Sequence, residues 1–274
     1  MIFSRGNNII KFSFLFFSID NYKKRNYTYY HSKYFQRKEI GLMEYLYEMH
    51  AHVKEVSTCS NTEARKMVEC YENRGYSGIV LTDHMNPSTF RVPKIEHISW
   101  DEKIDHFLTG YNIVKEAAEG KFNVLLGMEI NFHNHPNDYL VYGVTEAFLR
   151  NNHNLLDLTP RKFAKIAHEN GLIMIQAHPF RRGMQVEDWK ILDGYEIFNG
   201  NPRHHSSNEM AEIWAKAKNK TIVTSGSDFH EPEDAALGGI YFNCPINTND
   251  DLLRELRSGN YRIKASDIPY TDPE

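Results

Sequence analysis

The chain has almost none of the cysteine that a disulfide framework or a thiolate metal knot requires. Its 274 residues hold three, Cys59, Cys70 and Cys244, with no CxxC pair, and a reducing, cytoplasmic setting is expected. Long apolar runs are missing too. The densest patch, FSFLFFSI in the first twenty residues, falls far short of the roughly 20 that a membrane helix needs, so no membrane partner is expected. Nor is there a charge excess: the formal net charge is −4 and the pI is near 6.4. Without a broad basic groove, long nucleic acid is not expected as a partner. No fixed-period repeat and no low-complexity linker divides the chain.

What is present changes character at Met43. Residues 1–42 carry a net +6, from Arg5, Lys11, Lys23, Lys24, Arg25, Lys33, Arg37 and Lys38 against Asp20 and Glu39, which leaves −10 for the remainder. No A-x-A-like cleavage site follows the apolar patch, so a secretory signal is disfavoured. The expectation is a basic extension, disordered or non-native, over 1–42, and a single domain over 43–274.

Within 43–274 apolar, β-rich runs alternate with segments of helical period. EYLYEM, SGIVLT, FNVLLGMEI, DYLVYGV, LIMIQA, GYEIFN and TIVTSG read as strands. Helices are expected near 62–74, within 101–119, at 159–171, at 186–190, at 206–219 and after Asn249, with a last apolar stretch at Tyr261–Ile263. Runs apolar on both faces are those of parallel strands covered by helices. The pattern predicts an α/β fold, a distorted (β/α)7 TIM-like barrel, with a doubly wound sheet as the alternative.

The reactive residue types gather where these strands end. His50 and His52 follow the first strand, Asp83 and His84 the second, Glu129 closes VLLGMEI, His178 follows LIMIQA, and Asp228 and His230 follow IVTSG. Residues i and i+2 of a strand point the same way, so His50 and His52 can close on one cation. Imidazole and carboxylate without thiolate suit Zn, Mn or Fe. Cys59 reads as a loop cysteine rather than a ligand.

Four blocks, YEMHAHV, GIVLTDH, LLGMEI with IQAHPF, and TSGSDFH, together resemble the polymerase and histidinol phosphatase (PHP) domain family of metal-dependent phosphoesterases. The resemblance implies two or three divalent metal ions. It implies a first site at His50, His52, Glu129 and Asp228, a second shared by Glu129 and His178, and a third at His84 and His230. Two positions depart from the family pattern. Thr58 stands where many three-metal members have a histidine, with Glu55 as a compensating candidate, and Asp138 stands where others have a histidine ligand. Asp138 is therefore a candidate metal ligand.

Paired cations lower the pKa of a water and neutralise a phosphate, so the expected activity is hydrolysis of a small phosphorylated metabolite, with Glu129 bridging the ions. His84 or His230 is the candidate acid wherever it holds no metal. Arg181, Arg182 and Arg203 are candidate phosphate ligands, and Asn199 with Glu196 is expected to contact substrate or the ligands. His133 and His135 repeat the His-x-His spacing but read as a turn. Ser206 or Ser207 is the expected cap of the helix after His204 and His205. Two other readings remain: an amidohydrolase-like C–N hydrolase, disfavoured because no strand core contains lysine, and a non-catalytic metal-binding module.

Overall fold

A computed structural model describes residues 43–91, 95, 97–220 and 222–266; the expectation for residues 1–42 lies outside the described residues. In chain order the elements are β1 (Tyr45–Glu48), α1 (Ala64–Glu72), β2 (Tyr76–Leu81), β3 (His84–Met85), α2 (Trp100–Ala117), β4 (Asn123–Leu126), β5 (Met128–Asn131), β6 (Asp138–Tyr142), α3 (Glu146–Asn151), α4 (Pro160–Glu169), β7 (Ile173–Gln176), β8 (Gly194–Asn199), α5 (Asn208–Ala217), β9 (Ile222–Gly226), β10 (Gly238–Phe242), α6 (Asn249–Ser258) and β11 (Tyr261–Ala265).

Local chemistry sets many of these boundaries. Ser99 and Glu102 form a reciprocal capping box at the start of α2, Thr159 caps α4 with Pro160 in its first turn, and Thr248 pairs with Asp251 at α6, which ends at the left-handed Gly259. Such caps satisfy the free N–H groups of the first turn and contribute about 1 kcal/mol each. Buried Ala64, Met67, Val68 and Tyr71 recur at helical spacing on α1 and close over Ile79 and Leu81 of β2 in one apolar cluster.

The strands form two sheets, one in the order β11-β10-β1-β2-β4 and one in the order β3-β5-β6-β7-β8-β9. The α/β class is as expected, while the strands of the expected distorted (β/α)7 barrel divide here between two sheets. β1-β2-β4 and β7-β8-β9 are parallel, as expected, but β6 is antiparallel to β5 and β7, and β10 to β1 and β11. The loop between β5 and β6 is too short for a helical crossover, which forces an antiparallel turn. A single parallel bridge, Ala51 to Phe229, joins the chain beyond β1 to the chain beyond β9. Gly226 lies against His50 so closely that an added Cβ would sit 2.2 Å from that residue's Cβ, so this close approach requires glycine.

The helix expected at 186–190 does not form. Gln176 accepts from the backbone N–H of Glu187 and donates to the carbonyl of Gln185, which satisfies the segment in an extended shape and leaves Val186 and Trp189 exposed. Among the described residues no helix is long and apolar enough to cross a membrane.

Candidate metal centre

Beyond β1 the backbone carries His50 and His52 into the interior, both fully buried, on either side of the bridged Ala51. Glu129, on β5, is the hub. Its Oε1 lies 3.3 Å from His50 Nε2 and 3.2 Å from His178 Nε2, and its Oε2 lies 3.3 Å from His52 Nε2 and 3.1 Å from His84 Nδ1. Asp228 faces it across the cup, its Oδ1 3.4 Å from His50 Nε2, His52 Nε2 and His230 Nδ1. Asp138, at the start of β6, lies 3.9 Å from His178 Nε2. All eight predicted metal ligands thus enter groups able to hold an ion: His50, His52 and Glu129; His50, His178 and Asp228; Glu129, Asp138 and His178; and His52, His84 and His230.

The donor set fits divalent cations. His50 Nε2, both nitrogens of His52, His84 Nδ1, Glu129 Oε1 and His178 Nδ1 are buried without a hydrogen-bond partner, and leaving such atoms unsatisfied costs roughly 1–3 kcal/mol each. His178 and Asp228 also hold left-handed backbone, at φ 27° and 53°, a strain that ordered functional sites tolerate.

The charges interlock. Burial pulls His50 down, but Glu196, Glu129 and Asp228 hold it well above the ordinary imidazole range. Burial pushes Glu129 up, yet His50 and His84 keep it well below the usual carboxylate range; for Asp228, His50 and Arg181 outweigh burial in the same way. Burial, with His84 and His230 nearby, keeps His52 well below the ordinary range, and burial takes His84 down to about 4. Both are neutral at pH 7 and present lone pairs. Asp138 is raised to about 7 by burial and by Glu129.

A ring of buried polar groups fixes these ligands. Glu196 accepts from His50 Nδ1 at 2.8 Å and from the His178 backbone N–H at 2.9 Å, orienting one imidazole toward the cup and tying down the other residue's backbone. Glu48 accepts from the backbone N–H groups of His50 and Ser227 and from the Tyr71 and Ser227 hydroxyls. Sequence reasoning missed Glu48, although an acid inside the apolar run YLYEM was the available signal. Asp83 turns away from the cup, accepting from Val53 N–H and Ser57 Oγ, and so braces the rim.

Of the predicted phosphate ligands, Arg181 reaches the centre: its Nη2 donates to Asp228 Oδ2 at 2.7 Å and to Asn199 Oδ1 at 2.8 Å. Asn199 in turn donates to Glu196 and Asp228. Arg203 does not serve this role, because both its terminal nitrogens fork onto buried Asp234 at 2.6 Å. Arg182 is exposed. Glu55 caps α1 through the Ala64 N–H and does not replace a ligand. Ser207 makes no side-chain cap to α5, while Ser206 accepts from Arg181.

Residues 205–261, which include the TSGSDFH block, match the sequence family described as PHP-associated. No curated protein matches by sequence. Among solved structures, PsfC from Pseudomonas syringae superposes with a TM-score of 0.56 at 12% identity, over 82% of this chain and 92% of that one. Endonuclease Q, in complex with a 27-mer duplex bearing an abasic lesion at its active site, gives 0.53 at 12% identity over 80% of this chain. The lesion-specific endonuclease of that name from Pyrococcus furiosus gives 0.50 at 14% identity over 81%. This chain spans 58% of each endonuclease Q chain. The expectation of a small substrate and no long nucleic acid is thereby overturned: a protein of this fold binds a duplex, and overall charge was too coarse a criterion to exclude one.

Proposed function

We infer that this chain is a PHP-like metal-dependent phosphoester hydrolase. The observation that carries the reading is the meeting of His50, His52, His84 and His178 at Glu129, with Asp228 beside the first two, while His50 Nε2, both nitrogens of His52, His84 Nδ1 and Glu129 Oε1 are buried without a hydrogen-bond partner. His50, His52, Glu129 and Asp228 would hold one ion, Glu129, Asp138 and His178 a second, and His84 with His230 a third. Bound divalent ions lower the pKa of a water from 15.7 toward about 7 and neutralise phosphate charge.

The chain's own groups prepare the site for that chemistry. Glu196 keeps the Nδ1 proton of His50 engaged, so Nε2 faces the cup. Arg181, only 14% exposed, brings a permanent positive charge to the rim, and Asn199 holds its Nη2 in place. A guanidinium so fixed matches the oxygens of a phosphoester. His84, neutral at pH 7, suits a ligand rather than a proton donor. His230 has Nδ1 against the Asp228 carbonyl and Nε2 against Cys59, so neither nitrogen is offered as an acid.

The test loads the purified chain with manganese or zinc and assays p-nitrophenyl phosphate, its bis ester, an abasic DNA duplex and a p-nitroanilide. Chelator-sensitive release from a phosphoester, lost in Asp228→Asn, is expected. Hydrolysis of the anilide alone would favour a C–N hydrolase, and no turnover by a fully loaded protein would favour a non-catalytic module.

A further inference from the structure

Cys59 lies against His230, one member of the group His52, His84 and His230. Its Sγ is 3.2 Å from His230 Nε2, while Nδ1 of the same ring is 2.9 Å from the Asp228 carbonyl oxygen. With the ring proton on Nδ1 directed at that carbonyl, the Nε2 lone pair faces the sulfur. His52, fully buried with both nitrogens unpartnered, has its ring 4.3 Å from that of His84 and 4.5 Å from that of His230. His84 Nδ1 is unpartnered as well. The turn that carries Cys59 is clamped to both histidine segments: Ser60 Oγ donates to the carbonyls of His52 and His230, and Thr62 Oγ1 donates to the carbonyl of His230. Thr58, one residue earlier, and Cys59 itself both lie on the exposed side of this turn.

We propose that Cys59 is a thiolate ligand of a divalent cation seated against His84 and His230, supplying the donor that Thr58 does not. The assignment rests on the metal-binding reading above. For a tetrahedral zinc ion, bonds of about 2.3 Å to sulfur and 2.0–2.1 Å to nitrogen place the two ligand atoms about 3.6 Å apart. The observed 3.2 Å separation has to open by only a few tenths of an ångström. On binding, the sulfur–metal bond forms, the S–H bond breaks and the proton passes to solvent. A sulfur donor makes this position prefer Zn(II) or Co(II) to Mn(II) or Mg(II), unlike the oxygen-rich group of Glu129, Asp138 and His178. The chain therefore has one thiolate-bearing metal position beside positions served by imidazole and carboxylate.

The experiment strips the full chain with chelator, titrates it with Co(II), and records both cobalt per chain and the near-ultraviolet sulfur-to-cobalt charge-transfer absorption. The wild type is expected to develop that band with its third equivalent. Cys59→Ser is expected to lose the band and about one tightly held cobalt, Cys59→His to regain the ion without the band, and Cys70→Ser to keep both. A wild type that binds two ions and shows no sulfur band, or a band that survives in Cys59→Ser, overturns the assignment and leaves the phosphoesterase reading standing. Failure to take up any cobalt overturns both.

Discussion

The sequence contains the His-x-His spacing twice, and the two copies meet opposite fates. His50 and His52 flank a residue in extended, bridged backbone, so their side chains share one face and enter the same carboxylate cup, fully buried. His133 and His135 flank Asn134, whose φ of 59° turns the chain. Their rings part, one 3.6 Å from Asp157 and 42% exposed, the other 3.7 Å from Glu187 and 26% exposed. Identical spacing thus makes a chelating pair or two separate surface contacts, according to the backbone between the rings and the carboxylates opposite them.

That contrast can be broken first at the hub. Glu129→Gln keeps the shape but removes the charge shared by four imidazoles, and its loss of metal affinity is expected to exceed the roughly 100-fold upper range typical of outer partners; equilibrium dialysis against Zn(II) measures it. Glu196→Gln, one step out, is expected to cost about 10–100-fold in the same measurement while the protein remains folded. The third test is pH. In the metal-free protein His50 is held well above its ordinary value, so a cation must displace its proton, and affinity is expected to climb as pH rises through that raised value. The same shift stabilises the metal-free fold fully below the unfolded value of about 6.5, a contribution lost as pH climbs through the folded value. Glu129 and Asp228, held low, contribute stability above about 4 that is lost on acidification. Thermal melts of chelated protein are therefore expected to peak between these limits. The smallest effect belongs to the second pair: His133→Ala and His135→Ala are expected to change metal affinity less than about twofold and stability within about 0.5 kcal/mol.

The residues that could be read in advance were those whose chemistry is local. Strand ends bearing His, Asp and Glu marked the cup, and the helix expected at 159–171 formed with Thr159 as its cap and Pro160 in its first turn. The remainder depended on tertiary pairing. β10 begins with Gly238 and Gly239, which show no strand alternation and fit there because Gly238 packs directly on the Gly226 backbone. The antiparallel direction of β6 follows from loop length rather than from side-chain pattern. Val186 and Trp189 imitate a helical face, but Gln176 takes up the backbone groups nearby. Cys59 is the loop residue that was expected, but its contact with His230, 171 positions away in sequence, could not be read from the chain.

Metal content tests the central claim most directly. The chelator-stripped chain, dialysed against zinc and analysed for metal per polypeptide, is expected to retain at least two ions, and Asp228→Asn at least one fewer. A wild-type chain that retains none, or an Asp228→Asn chain that retains as many as the wild type, would contradict the convergence of these side chains on shared cations.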